Sequence, residues 1–189
     1  IGRRHAIVDP AELPPGIRWS AYRRGSEIGW TRGTDLGTGE PVMVPHAWVD
    51  LDWTRTHPEA GLFDVTSTGL ASGNHRLEAL CHALFEVVER DCEARWNRLS
   101  DAARQRRRVN ADTIESPMLR SLLDRFARAG TDVAMWDMTS KVGLPAFRCT
   151  LHDPWALGLL NPFYGAGCHL STPVALARAL TEAAQCRLT

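Results

Sequence analysis

The spacing of apolar residues divides the chain into a few strong elements and several irregular stretches. Leu119, Leu122, Leu123 and Phe126 recur at helical spacing and predict an amphipathic helix over 115–129. A longer helix is predicted over about 76–98, with Leu77, Leu80, Cys81, Leu84, Val87 and Val88 as its apolar side. The runs TDVAMWDMT (131–139) and LPAFRCTLH (144–152) read as strands split by a turn around Lys141–Gly143. Upstream, GWTRGTDLGTGEPVMVPHAWVDLDW (29–53) reads as strand, turn, strand. GTGEP supplies the turn, and Val42, Val44 and Val49 the β-branched residues. Residues 1–29, with Pro10, Pro14 and Pro15, read as irregular, THPEAGLFD as a loop, and PFYGAGCHLS (162–171) as a glycine-bearing loop. A last helix follows, with an N-cap at Ser171 or Thr172 and Pro173 just inside. Strand pairs and helices do not alternate strictly, which predicts an α+β fold with mixed or antiparallel sheets.

The polar positions of the 76–98 helix are less ordinary than its apolar ones. At 100° per residue, with Glu78 at zero, His82, Glu86, Glu89 and Glu93 share an arc of roughly 80°. A solvated face normally alternates acids with lysines. Here carboxylates follow one another at i+3 and i+4, where like charges repel by a few tenths of a kcal/mol per pair, and only Arg90 stands nearby. Such a cluster is either a solvated face or a cation site of the hard, oxygen-rich kind that suits Mg²⁺. In the last helix Arg178, Glu182 and Gln185 form one contiguous polar patch beside Leu176, Ala179, Leu180 and Ala183. The turn TSTGLASGN before the 76–98 helix could present backbone N–H groups to phosphate, but it matches neither common phosphate-loop pattern.

Composition narrows the classes. Of 189 residues, 22 are basic and 22 acidic, so the formal net charge is zero. That argues against a nucleic-acid tail or a polybasic membrane anchor; the basic run RQRRRV (104–109) reads as a solvated linker. No apolar run approaches the roughly 18 residues of a membrane span. Five scattered cysteines, none in a C-x-x-C pair, favour reduced thiols and a cytoplasmic setting. A zinc site from Cys81, His82 and Cys92 fails, because neighbours 81 and 82 point about 100° apart. Cys168 reads as a buried structural thiol, and the tryptophans (Trp30, Trp48, Trp53, Trp96 and Trp136 among them) as core packing. Both ends read as cut.

Four stretches taken together resemble the YcaO family of ATP-dependent enzymes that activate peptide backbone amides. They are WTRGTDLGTGEPVMVP (30–45), TSTGLASGNHRLEALCHALFEVVERD (66–91), AGTDVAMWDMTSKVGLPAF (129–147) and GAGCHLSTPVALARALTEAAQCRLT (165–189). The resemblance implies that residues 1–189 are the N-terminal and central part of one YcaO-like ATP-binding domain whose C-terminal part, with further ATP contacts, is missing. The family helix pattern S-x-x-E-x-x-E-R falls on Ala83, Glu86, Glu89 and Arg90, with alanine in place of serine; the pattern E-x-x-Q falls on Glu182 and Gln185.

By the resemblance, ATP and Mg are the cofactors, and Glu86, Glu89 and Glu182 are the metal ligands. Gln185 orients the nucleotide or a ligand water. Arg90 and Arg178 offset phosphate charge, or Arg90 spaces the glutamates as an ion pair. Glu78, His82 and Glu93 match no motif position and are kept as supporting or solvent-facing groups. The implied reaction phosphorylates the amide oxygen of a peptide after a nucleophile adds to the amide carbon. A substrate side chain gives azolines, and external sulfide gives a thioamide. Thioamide formation beside a TfuA-like partner matches the style of the motifs. No catalytic residue is assigned, and a homodimer is left open. Two rivals are a nucleotide- or peptide-binding accessory module without catalysis, and a metal-carboxylate helix protein unrelated to ATP, for which a second E-x-x-H copy is lacking.

Overall fold

The computed structural model describes residues 6–14, 22–52, 54, 59, 61–153 and 162–188. Pro15, Trp53 and most of the THPE stretch lie outside the described residues. The chain falls into two units, Ile1–Ser67 and Thr68–Thr189.

In the first unit, β1 (Ala6–Ile7), β2 (Trp30–Thr34) and β3 (Pro41–Pro45) form a sheet in the order β1-β3-β2, with β1 parallel and β2 antiparallel to β3. The β2–β3 turn is tied by the Asp35 carboxylate, which accepts from Gly37 N at 2.9 Å and Thr38 N at 2.8 Å. These bonds, the Thr38 backbone bond first, hold Asp35 below the ordinary carboxylate range. The second predicted strand is cut short. Pro45 ends β3, and His46–Val49 form a single helical turn, α1, so Val49 is helical. Residues 1–29 are not wholly irregular either, since they supply β1 and a 3₁₀ turn at Pro10–Glu12.

The second unit is a three-stranded antiparallel sheet with helices on both faces. Its strands are β4 (Asp132–Asp137), β5 (Ala146–His152) and β6 (Phe163–Cys168), in the order β4-β5-β6. Alternation along β5 sorts the two faces. Phe147, Cys149 and Leu151 join α4 (Pro117–Arg128) and α5 (Thr172–Leu188) in one core with Leu119, Met135, Ala179 and Leu180. Ala146 faces the other way, with Ala166 and Cys168 of β6, and packs under α2 (Arg76–Asn97) against Phe85, Cys92 and Trp96.

Two elements differ from the sequence reading. The expected loop at 162–171 is the edge strand β6 in its first two-thirds. Its glycines are packing devices: a Cβ at Gly167 would overlap the Ala175 carbonyl oxygen and lie 2.6 Å from Ala179 N, and one at Gly165 would lie 2.5 Å from Ala179 O. Helix α5 therefore rests directly on the strand backbone, its Ala175, Ala179 and Ala183 fully buried.

The second difference is the orientation of α2. Its buried residues are Phe85, Glu89, Cys92 and Trp96, while Leu77 (63% exposed), Leu84 (52%) and Val87 (47%) face outward. The two aromatics bury more area than the leucines opposite could, and they set the inward face, which turns Glu86, Glu89 and Glu93 inward and leaves Glu78 and His82 exposed. The basic run is not a free linker. Asp101–Gln105 form α3, and residues 107–109 pair with the outer edge of β4 through Asp137 N to Arg107 O (2.9 Å) and Val109 N to Met135 O (2.9 Å).

Candidate functional site

The site lies where α2 and α5, on opposite faces of the sheet, flank the edge strand β6. A cleft of about 440 Å³ opens there, lined from α2 by His82, Glu86, Glu89 and Arg90 and from α5 by Arg178, Thr181, Glu182 and Gln185. Ala166 forms part of the wall between them, and Leu70, Ala71 and Ser72 close the cleft from the turn before α2.

Each acid is held by a different device. Glu86 Oε2 accepts from Gly69 N at 3.3 Å, tying the glycine turn to the helix; Gly69 has φ of 82°, a conformation glycine adopts without strain. Glu182 Oε2 accepts from Ala166 N at 2.6 Å, taking a backbone donor of the edge strand. Glu89 is 5% exposed and accepts from Arg90 at 3.0 Å. Arg90 also binds Glu93, whose other oxygen lies 3.4 Å from Arg148, and Arg148 stacks on Tyr164 with 4.4 Å from its Cζ to the ring centroid.

Burial pushes the Glu89 carboxyl up to about 7. The Arg90 and Arg178 guanidiniums pull it down, and Glu182 and Glu93 push it up, so desolvation dominates. With Glu89 ionised, three carboxylates face two guanidiniums, leaving one net negative charge. A bare polyphosphate is repelled by that surplus; a divalent cation arriving with it reverses the balance. Among the described residues no three His, Cys, Asp or Glu side chains converge to hold a metal by themselves. The donors fit an ion of the Mg²⁺ type, which keeps several waters and takes one or two carboxylates plus phosphate oxygens. They do not fit a cage of protein ligands.

All six residues singled out from the sequence line this one cleft: Glu86, Glu89, Arg90, Arg178, Glu182 and Gln185. His82, which matches no motif position, lines it too. Glu78 does not; its carboxylate accepts from Asn74 N at 2.8 Å and secures the start of α2. Glu93 lies behind Arg90 as its partner. Ala83, at the serine position of the pattern, is half-buried and outside the lining. The sequence reading missed the Ala166 N–H that orients Glu182. The small-residue run Gly165–Ala166–Gly167 carried that signal, since glycines flanking a strand position mark close backbone approach. The cysteines offer no nucleophile in the cleft. Cys168 and Cys149 are fully buried, which pushes their thiols up to about 11 and about 12.

Comparison with known proteins places this geometry among relatives. One family model, described as YcaO cyclodehydratase, ATP- and Mg²⁺-binding, matches residues 3–189. A protein of the tfuA 3′ region of Rhizobium leguminosarum bv. trifolii is 36% identical over 167 residues, covering 86% of this chain and 39% of the relative. A protein from Methanothermobacter thermautotrophicus is 33% identical over 169 residues, covering 87% of this chain and 42% of the relative. The chain thus spans about two-fifths of the length of these relatives. Among solved structures, YcaO from Methanopyrus kandleri bound with AMPPCP and Mg²⁺ superposes with a TM-score of 0.70 at 25% identity, covering 98% of this chain and 45% of that one. A heterocyclase in complex with substrate and cofactor gives a TM-score of 0.72 at 27% identity, covering 87% of this chain and 21% of that one.

Proposed function

The chain belongs to the YcaO family, and from that premise we propose that its acid cleft binds a magnesium–nucleotide in the activation of peptide backbone amides. One observation carries the reading: two separate helices deliver Glu86, Glu89, Arg90, Arg178, Glu182 and Gln185 to a single cleft with a surplus of carboxylate. The bound ATP and Mg²⁺ would supply the phosphoryl group and the charge neutralisation that its transfer needs. The protein's residues do the positioning. Glu86 and Glu182, each fixed by one backbone N–H, present carboxylate to the ion. Glu89 becomes a full anion when a cation replaces the water that burial has removed. Arg178, on the α5 wall of the cleft, would meet phosphate oxygens, while Arg90, on the α2 wall, pairs with both Glu89 and Glu93. Gln185 offers an amide to the nucleotide or to a ligand water.

We favour thioamide formation beside a TfuA-like partner over azoline formation, on the strength of the relative from the tfuA 3′ region. The substrate is a peptide, and five scattered cysteines without a C-x-x-C pair suit a cytoplasmic setting. The family extent supports one domain continuing beyond residue 189, since the relatives are longer.

The test is calorimetric titration of a non-hydrolysable ATP analogue into the protein with and without Mg²⁺, for wild type and for Glu86→Ala/Glu89→Ala. Magnesium-dependent binding that is lost in a folded double variant is expected. Unchanged binding in that variant, or none in wild type, would overturn the assignment of the nucleotide to this cleft. Peptide-dependent ATP turnover then separates an enzyme from a binding module.

A further inference from the structure

The basic run is built into the fold. Arg106, Arg107 and Arg108 are exposed, and so is Lys141 in the β4–β5 turn. Two adjoining hollows meet at Arg107 and Thr139. One, of about 400 Å³, is lined by Trp96, Leu99, Met138, Ser140, Lys141 and Arg95 among others; the second, of about 480 Å³, by Arg106, Arg107, Arg108 and Asp137.

Three constraints hold these cations in place. The backbone of 107–109 is hydrogen-bonded to β4. Arg108 lies over the Trp136 ring, 5.5 Å from Cζ to centroid. The turn bearing Lys141 is closed by Gly143 N to Ser140 O at 3.0 Å and Val142 N to Ser140 Oγ at 3.3 Å. Nearby arginines already have acids: Arg95 binds Asp91 at 2.7 Å and Arg104 binds Asp101 at 3.4 Å. Arg106, Arg107, Arg108 and Lys141 have no ion pair among the described residues. Asp137, the one acid of the lining, accepts from Thr139 N at 2.8 Å.

A chain with zero net charge thus concentrates unneutralised cations along one groove with an apolar floor. Like charges repel, so the arrangement is stabilised by a partner that brings carboxylates. The floor is a narrow apolar strip, half-buried Leu99 with the edges of the core residues Trp96 and Met138 beside it, and it takes a small apolar side chain, which a nucleic-acid backbone does not offer. We propose that this groove, along β4, docks an acidic peptide segment. An apolar side chain sits against Leu99, at the edge of Trp96 and Met138, and flanking carboxylates meet Arg106, Arg107 and Lys141. The groove shares no lining residue with the acid cleft along β6, and the inference stands apart from the nucleotide reading.

The probe is a fluorescein-labelled peptide of glutamates around a central leucine, followed by anisotropy against the intact protein at low salt. Binding is expected, weakened about tenfold or more by Arg106→Glu/Arg107→Glu, weakened by added salt, and weakened several-fold when the leucine is replaced by glycine. Lys141→Glu, in an exposed turn, is expected to weaken it as well and covers the case in which the double reversal does not fold. Binding unaffected by these reversals, or lost in Glu86→Ala/Glu89→Ala, would overturn the assignment. So would equal binding of the glycine peptide, or tighter binding of an oligouridylate of matched charge.

Discussion

Glu89→Gln tests the electrostatics of the cleft most directly. Burial raises this carboxyl from 4.5 to about 7. The folded state therefore holds a proton over a pH range in which the unfolded chain has released it. Its contribution to stability is fully present below about pH 4.5 and is lost as the pH rises through 7. At 1.36 kcal/mol per pH unit, that interval amounts to about 3 kcal/mol for the whole span. For a chain of this size it corresponds to a melting-temperature change of about 6–12 °C. Glutamine keeps the shape and a carbonyl acceptor but cannot ionise.

The informative quantity is a difference of differences. Any pH-independent loss from the substitution, such as a weaker contact with Arg90, cancels when the wild-type-minus-variant gap is followed against pH. In buffer with EDTA, Glu89→Gln is expected to gain on wild type by about 3 kcal/mol between pH 4.5 and pH 8, read as urea midpoints at constant m. Adding Mg²⁺ together with a non-hydrolysable ATP analogue at pH 8 is expected to raise the wild-type midpoint more than the variant's. A gap that stays flat from pH 4.5 to 8 would refute the account of a desolvated carboxylate.

Three further outcomes follow from the same geometry. Gly167→Ala places a Cβ 2.6 Å from Ala179 N and against the Ala175 carbonyl, so α5 must retreat. A loss of about 1–3 kcal/mol or more in thermal or urea unfolding is expected, with weaker nucleotide binding because Glu182 moves with the helix. Arg148→Met removes the half-buried cation that meets Glu93 and stacks on Tyr164; a loss of about 1–3 kcal/mol is expected in the same melts, larger than for Arg95→Met, whose ion pair with Asp91 is exposed. Thiol titration with an aromatic disulfide should count two fast cysteines in the native protein, Cys81 and Cys186, and all five after denaturation.

The α+β class, the two main helices and the β4–β5 pair are written locally, in periodicity and turn residues, and so are legible without coordinates. The resemblance, carried by short motifs such as Glu86-x-x-Glu89-Arg90 and Glu182-x-x-Gln185, drew attention to the six cleft residues. Apart from that resemblance, nothing in periodicity or spacing says that they meet. Glu89 and Glu182 are 93 positions apart, and only the packing of α2 and α5 against opposite faces of β6 brings them to one edge. The face of α2 was likewise undecidable from apolar counts, because Phe85, Cys92 and Trp96 find a complementary floor in Ala146, Ala166 and Cys168, whereas Leu77, Leu84 and Val87 find none. Residues Gly165–Cys168 read as a loop because glycine is a weak strand former. The gain that makes them a strand is the close seating of α5, an interaction between distant segments that local propensity does not contain.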